Sequence, residues 1–174
     1  LSPSIALANS TVYTVTVLGG ASGIKDLAGN ALAANYTWTF TTAAFTPVSY
    51  SIFPSTTTPA VPLNNDAQGI AVGMKFRSSQ NGFIRGVRYY KGAGTTGTHT
   101  GHLWSATGTL LGSATFTGET ASGWQETSFA SPIEINANTT YVVSVFSPSG
   151  DYPATKPYFS QAIINDPLRA LADG

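Results

Sequence analysis

Cysteine is absent from all 174 residues, which removes disulfides, thiol nucleophiles and thiolate metal sites together. Charge is scarce as well. Only 9% of residues are charged, against roughly 25% in an average soluble domain, and eight cations cancel eight anions. A chain without net charge projects no long-range field toward phosphates or an anionic bilayer. Its lysines (Lys25, Lys75, Lys91 and Lys156) are scattered rather than striped, so nucleic acid is not an expected partner. No apolar run approaches the ~18–20 residues that span a bilayer, which argues against membrane insertion. The opening LSPSIALANST has neither the basic start nor the apolar stretch of a signal peptide, so any export signal is expected upstream.

What is present is apolar and uncharged-polar. Hydrophobic residues make up 42% of the chain and aromatics 11%, enough for a sizeable core. Solubility then rests on Ser, Thr, Asn and Gly, a surface that fits an extracellular or cell-surface protein. The length suits one full domain with a partial second.

The pattern along the chain is that of strands. TVYTVTV at 11–17 alternates Tyr13, Val15 and Val17 against Val12, Thr14 and Thr16, the two-residue period of a half-buried strand. GIKDLAGNAL at 23–32 supplies the turn residues Asp26, Gly29 and Asn30. YTWTFTT at 36–42 returns with Tyr36, Trp38 and Phe40 on one side and threonines on the other. A lone hairpin is at best marginally stable in water, so this unit calls for a partner. The run over 7–42 resembles the C-terminal half of a bacterial Ig-like domain, and residues 1–42 are read as a partial domain of that kind. The resemblance implies further N-terminal strands. An open edge left by their absence is expected to pair with a second copy of the chain or to be covered.

Residues 43–68, with Pro47, Pro54, Pro59 and Pro62 among small polar residues, read as a Pro/Thr-rich linker and lead-in, with a boundary near 43–50. Strand grammar resumes over 69–174: GIAVGMKFRS (69–78), GFIRGVRYYKG (82–92), GHLWSATGTLLGSATFT (101–117), GWQETSFASPIEI (123–135) and TTYVVSVFSP (139–148). Ser105–Gly108 reads as a tight turn inside the third of these. Short strands at this spacing predict an all-β chain, with a jelly-roll-like antiparallel β-sandwich following the partial Ig-like unit. This block, over about 50–174, resembles the bacterial domain-of-unknown-function family 4082, most clearly in GVRYYKGAGTTGTHTGHLWSATGTLLGSATFTGETASGWQETSF (86–129) and NANTTYVVSVFSPSGDY (136–152). The resemblance implies a β-sandwich module of large secreted or surface proteins, found beside Ig-like domains and carbohydrate-active regions. It also implies one or two closing strands beyond NDPLRALADG.

Candidate binding residues are aromatic. Trp104 and Trp124, with Tyr89, Tyr90 and Tyr152, are expected to form one platform of rings whose faces stack on the apolar face of a sugar. Alternation places His102 beside Trp104 and Glu126 beside Trp124, with Leu103 and Phe129 on the opposite sides of their strands. If those two point inward, both tryptophans point outward. Arg88 adds a donor for hydroxyls or carboxylates. The alternative assigns these side chains to packing and to solvated strand faces. His99 and His102 lie three apart, so a strand sends them to opposite faces; His99 is expected to fix the Gly-rich loop 92–101. For an ion, structural calcium at Asp66 or Asp151 is the candidate, against ordinary Asx turns. No nucleophile elbow, zinc-protease helix or phosphate-cradling loop is present, and no catalytic residue is assigned. The expected function is a non-catalytic accessory module binding polysaccharide or another surface polymer through exposed aromatics. A structural or adhesive spacer and a fragment of a glycan-active hydrolase are the alternatives.

Overall fold

A computed structural model of the chain describes residues 3, 5–44 and 46–172. The chain divides into two compact units, Leu1–Ser49 and Tyr50–Gly174. Both are built from strands, and the described residues contain no helix.

In the first unit, β1 (Val12–Val17) pairs antiparallel with β2 (Tyr36–Thr41). Cross-strand partners share a face, so the register Tyr13↔Phe40, Val15↔Trp38, Val17↔Tyr36 gathers every aromatic side chain of the ribbon on one side. Tyr13 stacks on Phe40 with ring centroids 5.8 Å apart, and Tyr36 lies 5.9 Å from Trp38. The turn between the strands is organised by Asp26, whose carboxylate accepts from the Ala28 and Asn30 backbone amides and from the Asn30 side chain. Gly29 supplies the left-handed backbone there.

The second unit is a sandwich. One layer is a six-stranded antiparallel sheet in the order β11 (Ile163–Asn165), β12 (Leu168–Ala170), β4 (Ile70–Ser78), β9 (Tyr141–Ser147), β6 (Thr100–Ser105), β7 (Leu110–Thr115). The facing layer is the long ribbon β5 (Gly82–Lys91) with β8 (Gly123–Ile135). A short ribbon of β3 (Val61–Asn65) and β10 (Asp151–Ala154) completes the unit. The expected turn at Ser105–Gly108 joins β6 to β7, with Gly108 at positive φ and the Ser105 amide donating to the Thr109 carbonyl.

The core lies between sheet and ribbon. Leu103, wholly buried, is joined there by Phe76, Val87, Phe116, Phe129, Ile135, Tyr141 and Val145. The layers approach closely at Gly101, where an added Cβ would lie 2.8 Å from the Cβ of Val87. Part of the segment read as linker is folded into this unit: Ile52 is buried in the core, Phe53 packs against it, and residues 61–65 form β3. Proline density conceals these because Pro punctuates irregular backbone even where its neighbours are buried. The closing hairpin β11–β12 lies within NDPLRALADG and the residues before it, and it pairs with β4.

Truncating the central side chain tests this packing. Leu103→Ala is expected to lower unfolding free energy by about 2–5 kcal/mol through lost burial and a residual cavity, and Gly101→Val by about 1–3 kcal/mol through overpacking. Urea denaturation followed by tryptophan fluorescence measures both as shifts of the midpoint.

Candidate functional site

Alternation about the buried residues decides where each candidate side chain goes. Because Leu103 of β6 faces inward, its neighbours His102 and Trp104 face outward from the six-stranded sheet. Because Val87 of β5 and Gln125 of β8 face inward, Arg88, Tyr90, Trp124 and Glu126 face outward from the ribbon. The two tryptophans therefore occupy opposite outer surfaces of the sandwich. The single platform expected from the sequence is two separate surfaces, since strands in facing layers turn their outward residues away from each other.

On the sheet, the register arranges the outward side chains as a grid. Lys75, Val142, Trp104 and Leu110 form one row across four strands, Gly73, Ser144, His102 and Ser113 the next, and Ala71, Phe146, Thr100 and Thr115 a third. The Trp104 indole donates to Ser144 Oγ at 3.0 Å, and its ring lies 5.5 Å from that of His102, tilted by 33°. A bulge adjoins Trp104: Leu103 pairs with Gly112 and Trp104 with Leu110, leaving Leu111 as the extra residue. Bulges re-aim side chains in this way. Beside the aromatic pair, a cleft of about 410 Å³ has Gly73, Met74, Lys75, Val142, Ser144 and Phe159 among its lining residues, together with Ala71, Leu171 and Ala172. Gly73 contributes no side chain to its wall.

On the ribbon, Trp124 is engaged by its neighbours. Phe53 stacks on it at 6.0 Å, Tyr90 meets it edge-on at 5.8 Å, the Arg88 guanidinium lies 4.9 Å from the ring centroid, and Nε1 donates to the Thr57 carbonyl. This indole fastens the lead-in segment to the sandwich. Arg88 also donates to Ser51 Oγ and approaches Glu126 at 3.7 Å.

Tyr89 leaves the expected platform altogether. It sits one residue from Tyr90, so it faces the interior, edge-on to Phe116 and 5.0 Å from His99. There it belongs to a polar knot. The Glu119 carboxylate accepts from Lys91 Nζ at 2.7 Å, from the Tyr89 hydroxyl at 3.0 Å and from His99 Nδ1 at 2.9 Å. Lys91 and Glu119 are each about nine-tenths buried, and His99 is fully buried with Nε2 unpartnered. Burial pushes Glu119 toward protonation, yet the hydrogen bonds from Lys91, Tyr89 and His99 outweigh it and hold the carboxyl below its usual range. The Tyr89 hydroxyl is raised by burial and by its bond to Glu119. His99 thus fixes the loop that follows β5, as expected, and His102 lies on the other side of its strand. Reading the two-residue period from Val87 places both Tyr89 and Lys91 inward, and an inward lysine requires an anion. Nothing local identifies Glu119, 28 residues away, as that anion.

Asp151 pairs with Asn65 across β10 and β3, accepting from Asn65 Nδ2 and Ser149 Oγ. Those bonds, Asn65 first, hold its carboxyl below the usual range. Asp66, the next residue after Asn65, accepts from the Tyr152 hydroxyl at 3.3 Å. Among the described residues no group of three or more His, Asp or Glu side chains converges as a metal would require.

Residues 56–174 match the model of a family described as a domain of unknown function (DUF4082). The chain belongs to this family. Residues 1–42 match the model of the bacterial Ig-like domain, and no curated protein or solved structure matches the chain. The DUF4082 unit thus carries both candidate surfaces and the buried knot.

The knot is expected to contribute to the stability of this DUF4082 unit. Glu119→Gln leaves a buried lysine without its counter-charge and is expected to cost about 3–5 kcal/mol at neutral pH. A carboxylate held below its ordinary pKa stabilises the fold fully above the unfolded value of roughly 4. That contribution is lost as pH falls through the lower folded value. Thermal melts across pH 2–7 are therefore expected to show a steep acid loss in the wild type, with a shallower one in Glu119→Gln.

Proposed function

We propose that this bacterial module, an Ig-like unit joined to a DUF4082 unit, is an extracellular, non-catalytic accessory that binds polysaccharide on the outer face of its six-stranded sheet. The observation that carries the reading is Trp104 and His102 standing side by side on that face, next to a cleft whose lining includes Gly73 and Ala71. An indole held in place by Ser144 offers a pre-positioned ring for the apolar face of a sugar. Small side chains beside it leave room for the pyranose, while Ser144 and Ser113 supply hydroxyls in the same row as His102.

The spacer reading draws its support from the other tryptophan. Trp124 has Phe53, Tyr90, Arg88 and the Thr57 carbonyl as partners, a packing role that any rigid module requires. The two readings separate by mutation. Affinity electrophoresis against a polysaccharide panel is expected to show retention that Trp104→Ala weakens at least about tenfold, the order of loss of one base-type or ring-type stacking contact. Trp124→Ala is expected to lower the melting temperature and leave retention of the folded protein intact. Retention that survives Trp104→Ala, or depends on Trp124 in a fully folded variant, contradicts the proposal.

A further inference from the structure

Three cations stand on the same sheet face as Trp104, and none of them is ion-paired among the described residues. Lys75 occupies the same row as Trp104, two strands away, which is about 10 Å at the ordinary strand spacing. Arg77 lies two residues further along β4 and therefore projects from the same face, as the buried Phe76 and Ser78 on either side of it require. Arg169 of β12 is its direct cross-strand partner. All three are exposed.

Two arginines placed opposite each other repel, and such pairs destabilise a sheet unless an anion lies between them. None of the described residues supplies one at ion-pair distance. Arg77 Nε donates to Thr140 Oγ1, and its other guanidinium nitrogens have no hydrogen-bond partner among the described residues. Both arginines line a second cleft of about 400 Å³ together with Ser79, Asn138 and a single acid, Asp166. This cleft shares Leu171 with the one beside Trp104. The whole chain is neutral, so an unpaired basic cluster on one face is a local segregation of charge.

We infer that the polysaccharide bound on this face is acidic, a chain bearing carboxylate or sulfate groups that Arg77, Arg169 and Lys75 receive while a neighbouring sugar stacks on Trp104. The inference rests on the glycan-binding reading and adds the ligand's charge to it. Guanidinium pairs suit this task because their planar donor forks match carboxylate and sulfate oxygens. Neutrality of the whole keeps the attraction short-ranged, so it selects among polymers already at the surface rather than drawing polyanions from a distance.

The test is retention of the full chain, in low and in high salt, on matched neutral, carboxylated and sulfated polysaccharides, with single-stranded DNA as a further polyanion. Acidic polysaccharide is expected to bind more tightly than its neutral counterpart, and salt is expected to weaken it. Whether the carboxylated or the sulfated polymer dominates names the anion. Replacing Arg77→Gln and Arg169→Gln together is expected to cost about tenfold, the sum of a few exposed ion pairs. Arg77→Lys with Arg169→Lys is expected to restore most of the loss, and Arg85→Gln on the ribbon to change nothing. Equal, salt-insensitive and Trp104-dependent binding of neutral and acidic chains overturns the charge inference and leaves the glycan reading standing. Binding of no polysaccharide at all overturns the glycan reading itself. DNA held as tightly as the acidic glycan overturns the assignment of the polyanion.

Discussion

The closure of the β5–β8 ribbon onto the six-stranded sheet is the contact from which the rest of the DUF4082 unit follows. Leu103 and Val87 are buried in that closure, and Gly101 lets the layers approach because any side chain there would strike Val87. Once these residues point inward, the two-residue period of the strand leaves no freedom for their neighbours. His102 and Trp104 face out on one side, Arg88, Tyr90 and Trp124 on the other, and Tyr89 with Lys91 are carried into the interior.

Carrying a lysine inward has a cost that the fold meets with one carboxylate. Glu119 accepts from Lys91, Tyr89 and His99 at once, so burial of charge is offset by ion pairing and by saturation of the acceptor. The same bonds tie the end of β5, the glycine-rich loop after it and the segment after β7 into one joint. That loop in turn rests against other parts of the unit: Gly92 approaches the Pro62 carbonyl and Gly97 approaches Pro148. A conformational anchor of this kind serves the role that a disulfide plays elsewhere, in a chain with no cysteine to make one.

Much of this was legible from alternation alone. The long strands β4, β5, β8 and β9 fall within a residue or two of the segments read from sequence, because each carries several periods and is bounded by turn residues. The tight turn at Ser105–Gly108 was legible from glycine, and the fastening of the first hairpin's turn from Asp26 and Asn30. The short strands β3, β10, β11 and β12 were not, since three to five residues hold too little period and proline interrupts β3 and β10. At the candidate site, the outward turn of Trp104 and Trp124 was readable from Leu103 and Phe129. Their separation onto opposite layers was not, because strand pairing order is a long-range property. The Glu119 knot and the Arg77–Arg169 pair were hidden for the same reason: each joins residues that only topology makes neighbours.

The proposed function turns on the difference between the two outer surfaces. On the ribbon, Trp124 is committed to holding residues 53 and 57 in place. On the sheet, Trp104 is half-buried and braced by Ser144, in a row with Lys75 and next to strand positions that line a cleft, and this is the surface we propose for the ligand. The chain contains three tryptophans, Trp38, Trp104 and Trp124, so its indole N–H resonances report three distinct surfaces. Titrating isotope-labelled protein with polysaccharide and following those resonances is the most direct measurement. The account predicts that the Trp104 signal moves with ligand concentration while those of Trp124 and Trp38 stay in place; movement confined to Trp124 or Trp38 contradicts it.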